Sequence, residues 1–352
     1  MTAPPRSRLH SLDQFRGYTV AGMFLVNFLG GFAAIHPIFK HHNTYCSYAD
    51  TIMPQFFFAV GFALRLAFLR HVEKVGARNA YRQAVVRSLG LILVGAVVYH
   101  FDGKFATWDA LTAHGLSGFL TSSWHRSLFQ ALVHIGVTSL WVLPVIAASA
   151  RAQLLWIAAS AMLHVWLSHS WWHEWLRAHR VIDGGPLGFL TWTIPVLAGS
   201  LTCIYIDSPR RVLLRYALLL MLAGYALSCL TAGGVLAAPP FFPPWHERDM
   251  WTMSQQAGSV SYLTFATGFS LAVYLFFRWW TDQRGNQWPV FRTLGVNALA
   301  GYVLHSLVED AVKPFAPKDS PLAWALFAFL VFFSVTWLFL RSLEKNNVFI
   351  RL

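Results

Sequence analysis

The chain is expected to be an all-α integral membrane protein, one domain over residues 1–352, built as a polytopic bundle of about ten transmembrane helices with both termini cytoplasmic. Composition points there first: 56% of the residues are hydrophobic and only 12% are charged, about half the charged fraction of ordinary soluble domains. The apolar residues also lie in long runs. Residues 188–206, 216–238 and 322–340 contain no charge at all, and a bilayer core takes about 20 such residues as a helix. Lys and Arg, finally, are shared unevenly among the segments that join the runs.

Seven further spans complete the count: 17–35, 51–69, 84–101, 127–148, 154–169, 258–277 and 294–308. With ten spans and a cytoplasmic start, 18 of the 27 Lys and Arg residues fall on the inner side and 8 on the outer, with Arg65 inside a span. An even number of spans returns the C-terminus to the inner side. Arg65 and Arg87 sit within or near the ends of spans, where long basic side chains reach toward lipid headgroups. The net charge of +12 therefore reads as topology and contact with anionic lipid. Nucleic-acid binding is not expected, because no basic stripe lies on a soluble element. The first 16 residues lack the apolar run of a cleavable signal peptide. Cys46, Cys203 and Cys229 are scattered without a CxxC pair, so neither a disulfide framework nor a metal site is expected. The outer connections 102–126, 170–187 and 239–257 are long and rich in Trp, His and Pro. The Trp residues suit an interfacial belt, and the extracytoplasmic face is the expected working face.

Polar residues in so apolar a chain are few enough to follow individually. In Ser11-Leu12-Asp13-Gln14-Phe15-Arg16-Gly17, Asp13 and Arg16 share a helix face; the plainer reading is a helix start with Ser11 as N-cap. Asn27 falls mid-span before Gly30-Gly31, either as helix–helix glue or as a site residue. The following loop carries His36, His41, His42 and Asp50. Imidazole suits proton abstraction or transient acyl acceptance near neutral pH, and a carboxylate such as Asp50 can orient it. Adjacent histidines make poor helical metal ligands. Near the other end, Asn297, Tyr302 and His305 precede Glu309-Asp310. Ionisable groups at membrane depth are functional candidates, although packing also accounts for His305.

These residues, in this order, resemble the family of heparan-alpha-glucosaminide N-acetyltransferase and its bacterial relatives. The likeness rests on Ser11-Leu12-Asp13-Gln14-Phe15-Arg16-Gly17, Met23, Val26-Asn27 and the glycine pair, then Phe39-Lys40-His41, Asp50, Pro54 and Gly61. It continues in Asp183-Gly184-Gly185-Pro186-Leu187 with Gly199, in Ser261-Tyr262 with Gly268, and in Gly295, Asn297, Tyr302 and His305. The resemblance implies acetyl-CoA as donor, an amino-sugar or glycan amine as acceptor, and a multi-pass place in the cell (inner) membrane. It puts His41, Asp50 and Asn27 in catalytic positions and Arg16, Asn297, Tyr302, His305 and Gln130 toward the donor. Two departures bear on the acceptor and on the choice of histidine. Asn43-Thr44-Tyr45 stands where the family has Trp-Asn-Gly, which leaves His42 as a rival to His41. A Leu-Gln-Arg motif is reduced to Phe129-Gln130-Ala131. The alternative is a transporter or flippase of a sugar or lipid-linked substrate, suggested by the echo of Val26-Asn27-Phe28-Leu29-Gly30-Gly31 in Val296-Asn297-Ala298-Leu299-Ala300-Gly301. Assembly into a homo-oligomer is left open.

The topology has a direct test. A Lys40→Cys substitution in a background without native cysteines is expected to react with a membrane-impermeant maleimide in intact cells. Labelling only after lysis would reverse the orientation.

Overall fold

The computed structural model describes residues 9–42, 44–100, 105–125, 128–179, 181–231, 236–245 and 247–350; of 99–100 and 119–125 it describes the backbone only. Arg6, Arg8, Lys104, Arg126, Arg180 and Arg351 of the charge count lie outside the described residues. So do Asn43, positions 232–235, and the span ends at Phe101 and Ser127.

All regular structure among the described residues is helical. Helix α1 (His10–Leu29) leads through a loop to α2 (Ile52–Val75), and α3 (Ala77–His100) follows across Gly76. Then come α4 (Trp108–His125), α5 (Ala131–Val142), α6 (Ala150–Leu167) and the short α7 (His173–Ala178). The second half holds α8 (Phe189–Ile204), α9 (Arg210–Ser228), α10 (Val260–Phe277), α11 (Pro289–Val296), α12 (Ala298–Val312) and α13 (Leu322–Lys345).

Six stretches are long and apolar enough to cross a membrane: Ala49–Val75, Ala77–Val98, Gly185–Ile204, Arg210–Ser228, Val260–Gln283 and Leu322–Lys345. The other four expected spans are helical but shorter or more polar. Helix α1 carries Asp13, Gln14, Arg16 and Asn27, and Ala131–Val145 is a short apolar helix. Residues 294–308 are not one span. The helix breaks at Asn297 (φ −121°, ψ 38°), whose side chain is taken up by the backbone of the C-terminal segment. Asn competes for backbone partners in this way and disfavours a continuous helix. Helix α11 accordingly packs on the first two turns of α1, and α12 starts afresh beside it, with Gly301 near Val20 and Phe24.

Two local expectations are also revised. Ser11 is not an N-cap: it sits in the first turn of α1, where its N–H (3.1 Å) and hydroxyl (2.5 Å) both donate to Asp282. Arg65 does not reach for headgroups; its guanidinium donates to the carbonyls of Ile146 and Ala148 beyond the end of α5.

Close backbone approach builds the bundle. A Cβ added at Gly61 would lie 1.7 Å from the Val196 oxygen, and one at Gly199 would lie 2.0 Å from the Phe58 oxygen, so α2 and α8 touch through reciprocal glycines. The same reciprocity joins α1 to α11 (Gly17 against Phe291, Gly295 against Asp13) and α9 to α10 (Gly224 against Phe265, Gly268 against Ala217). Small residues at such crossings are what lipid-embedded helices pack with. Phe57 against Trp192 (4.4 Å between ring centroids) shows that α2 and α8 run side by side from the same end.

The crossing of α2 and α8 is therefore intolerant of any side chain at Gly61. Gly61→Ala is expected to destabilise the folded protein by about 1–3 kcal/mol, the range for overpacking a tight core. Gly31→Ala, at a position with open space around it, should change little. Thermal unfolding in detergent compares them, and equal melting temperatures for the two variants would refute the glycine crossing.

Candidate active site

Helices α1 and α2 are antiparallel neighbours, so the end of α1, the connecting loop and the start of α2 meet at one end of the bundle. There the loop folds back so that His41 Nδ1 lies 2.9 Å from Asp50 Oδ1. Asp50 is fully buried. Its other oxygen accepts from the Ser47 N–H (3.0 Å), with the Ser47 hydroxyl at 2.9 Å. A carboxylate so held fixes the tautomer: Nδ1 carries the proton donated to Asp50, and Nε2 is left as the basic nitrogen. Nε2 lies 3.4 Å from Asn27 Oδ1, a contact that becomes a hydrogen bond only when Nε2 carries a proton, and the His41 side chain remains 34% exposed. Tyr262 of α10 donates to the Asp50 carbonyl (2.5 Å), and Phe241 N–H donates to the Cys46 carbonyl (2.8 Å). Those bonds pin the loop at both sides.

The two histidines part company here. His42 Nε2 donates to the Pro37 carbonyl (2.8 Å), and its ring stacks on Tyr45 at 4.3 Å. Among the described residues it makes no hydrogen bond to Asp50.

A second carboxyl joins the site from the turn before α8. Asp183 is buried, accepts from Gln255 Nε2 at 2.6 Å, and interacts electrostatically with both His41 and Asp50. Burial lifts its pKa to about 7, with Gln255 and His41 acting against that rise and Asp50 adding to it. For His41, burial works to lower the pKa, but the hydrogen bond and charge of Asp50 raise it. Asp183 and Gln255 add to the rise, and the net shift is upward from 6.5.

Along α1 and α2, toward the end opposite His41, runs a cavity of about 540 Å³, within the range that holds small ligands and cofactors. Its polar lining is Asp13, Arg16, Arg70, Arg87, Ser88, Ser139 and Tyr302. On α2 the lining runs from Phe56 to Arg70, almost four turns and about 21 Å at 1.5 Å per residue. The cavity is thus long and apolar along its length, with three guanidinium groups on its walls.

Of the residues expected at a site, the structure brings together His41, Asp50 and Asn27 at one end and Arg16 and Tyr302 around the cavity. Others do not appear among the lining residues and have partners of their own. Asn297 donates to the Val348 carbonyl (3.2 Å) and accepts from Ile350 N–H (3.3 Å). His305 stacks on Phe24 and donates from Nδ1 to the Tyr302 carbonyl at 2.6 Å. Gln130 stands at the start of α5, one residue before the cavity-lining Ala131. Gln255 was not legible in the sequence, since nothing marks one amide in a long connection. Asp183 left a trace, as an acid before two glycines at the head of an apolar run.

No protein-family model matches this chain, and no curated protein matches it.

Proposed function

We propose that this protein is a membrane-bound N-acetyltransferase that moves the acetyl group of acetyl-CoA to the amine of a glucosamine-type sugar on the extracytoplasmic side. The observation that carries this reading is the His41–Asp50 pair, a basic nitrogen oriented by a buried carboxylate and open on one side. The ordered motifs from Ser11 to His305 support it. So does the cavity, whose Arg16, Arg70 and Arg87 suit the phosphates of the coenzyme as charge-assisted hydrogen-bond donors. Its long apolar wall along α2 suits the pantetheine arm. Phe56 lies about 9 Å along the helix axis from Asp50, so a thioester at the outer end of the cavity approaches His41. With the basic connections on the cytoplasmic side of the cell (inner) membrane, the phosphates lie inside and the acetyl group points toward the outer face.

In this reading the acceptor nitrogen attacks the thioester carbonyl carbon. The C–N bond forms, the C–S bond breaks, and His41 Nε2 takes the proton from nitrogen and returns it to the departing thiolate. Asp50 stabilises the imidazolium in between. Asn27 offers an amide donor to the carbonyl oxygen as charge develops, an interaction worth about 3–4 kcal/mol of barrier in comparable sites. A transporter of a sugar or lipid-linked substrate has no need of an oriented base in an outer loop.

Acetyl transfer from labelled acetyl-CoA to glucosamine by the purified protein tests this. His41→Ala is expected to lower kcat by about 10²–10⁴-fold while leaving coenzyme binding intact, and His42→Ala should stay within a few-fold of the native rate. The base works as neutral imidazole with a raised pKa, so the native rate should fall as pH drops through a limb above 6.5. Full activity of His41→Ala would remove the base from this loop.

A further inference from the structure

The acetyl-transfer reading uses Asp50 alone to explain His41, yet an outlay of unusual backbone has gone into bringing a second carboxyl to the same imidazole. Asp183 has φ of 57°, and Gly184 and Gly185 follow at 80° and 57°, a run of left-handed residues that only glycine and, less readily, Asp or Asn accept. The turn is locked onto the connection before α10. A Cβ at Gly258 (φ 57°) would lie 2.9 Å from the Gly184 Cα, and Gly184 N–H donates to the Gln256 carbonyl at 3.1 Å. Trp192 Nε1–H donates to the Asp183 carbonyl at 2.8 Å. The outcome of this clamp is the 2.6 Å bond from Gln255 Nε2 to Asp183 Oδ1.

That bond decides which way the amide faces. With Nε2 donating to Asp183 Oδ1, the Gln255 NH₂ faces the carboxyl and Oε1 faces away. Oε1 is buried and has no hydrogen-bond partner among the described residues, although Gln255 adjoins His41. A buried acceptor left unpaired is unfavourable, and the group beside it is the one that gains an N–H during the reaction.

We propose that Asp183 is a positioning residue that acts through Gln255. It turns the Gln255 amide so that Oε1 receives the Nε2–H of His41 once the imidazole has taken its proton, and so stabilises the imidazolium from the side opposite Asp50. The inference rests on His41 as the base of the proposed reaction. The charged and titratable groups around the imidazole come from every packed element. Asp50 comes from the turn before α2, Asp183 from the turn before α8, Tyr262 from α10, and Lys40, His42, Tyr45 and Cys46 from its own loop; α1 supplies only the neutral Asn27. Two acids thus flank one base, and the amide transmits the second.

The test is titration of His41 in the whole detergent-solubilised protein by NMR of labelled histidine, with its resonance identified by loss in His41→Ala, alongside the pH–rate profile. Asp183→Asn keeps a residue tolerant of positive φ and an oxygen for Gln255, and removes only the charge. It should lower the His41 pKa by about half a unit or more, the direction expected when a nearby negative charge is lost. The rate limb should move to lower pH by the same amount while the plateau falls. Damage to the fold alone would reduce the rate at every pH without moving the limb. Gln255→Met, made alongside, leaves the carboxyl in place, removes the amide, and should shift His41 in the same direction. An unshifted His41 in Gln255→Met overturns the proposal, because a shift in Asp183→Asn alone reports the charge and not its passage through Gln255. The titration needs no acetyl transfer, so a shifted His41 in a protein that moves no acetyl group would uphold the pairing and refute the transferase reading.

Discussion

Helices in a bilayer gain little by burying apolar surface against one another, because lipid is as apolar as they are; backbone meeting backbone has to hold this bundle. Gly61 and Gly199 are where that constraint acts most directly on the site. Each lies so close to the other helix's carbonyl that no side chain fits, and the contact fixes how α2 and α8 lie along their length. Asp50 precedes one of these helices and Asp183 precedes the other. Once the mid-span crossing is set, the two loops that carry the acids converge on the same imidazole. The reciprocal contact of α1 with α11 does comparable work at the other end, where Asp13 and Arg16 enter the cavity wall.

The division of labour between the two ends follows from burial and charge. At the end that holds His41, the carboxyls are buried and the imidazole is partly open, an arrangement that concentrates negative charge around one base. At the other end, three guanidinium groups line a space of about 540 Å³. The antiparallel run of α1 and α2 connects them, since each helix contributes to both: Asn27 and Arg16 on the first, the Asp50 turn and Arg70 on the second.

Much of the His41 site was legible because polar residues are costly in an apolar chain and therefore few. Asn27, His41 and Asp50 stand out for that reason, and they do meet. The same rule says less at Asn297, which also sits in an apolar run and lies between the cavity-lining Val296 and Ala298. An amide there can line a site or hold open a break in a helix, and only its partners, the Val348 carbonyl and Ile350 N–H, decide for the break. The span count suffered from a related ambiguity. Polar groups in α1 lower its hydropathy whether it crosses a bilayer or lies along a cavity. Gln255 was beyond reach, since a contact across 72 residues of sequence leaves no periodic trace. The choice between His41 and His42 turned on the path of an irregular loop, which adjacent identical residues cannot reveal.

The central claim is that one donor molecule spans both ends, its phosphates at the guanidinium groups and its thioester at the imidazole. Cryo-electron microscopy of the protein with a non-transferable acetyl-CoA analogue tests it most directly. The account predicts phosphates against Arg16, Arg70 and Arg87, the arm along α2 past Phe56, and the acyl carbonyl within about 3.5 Å of His41 Nε2, a near-attack distance. An analogue bound away from the cavity, or one whose acyl end points away from His41, would contradict it.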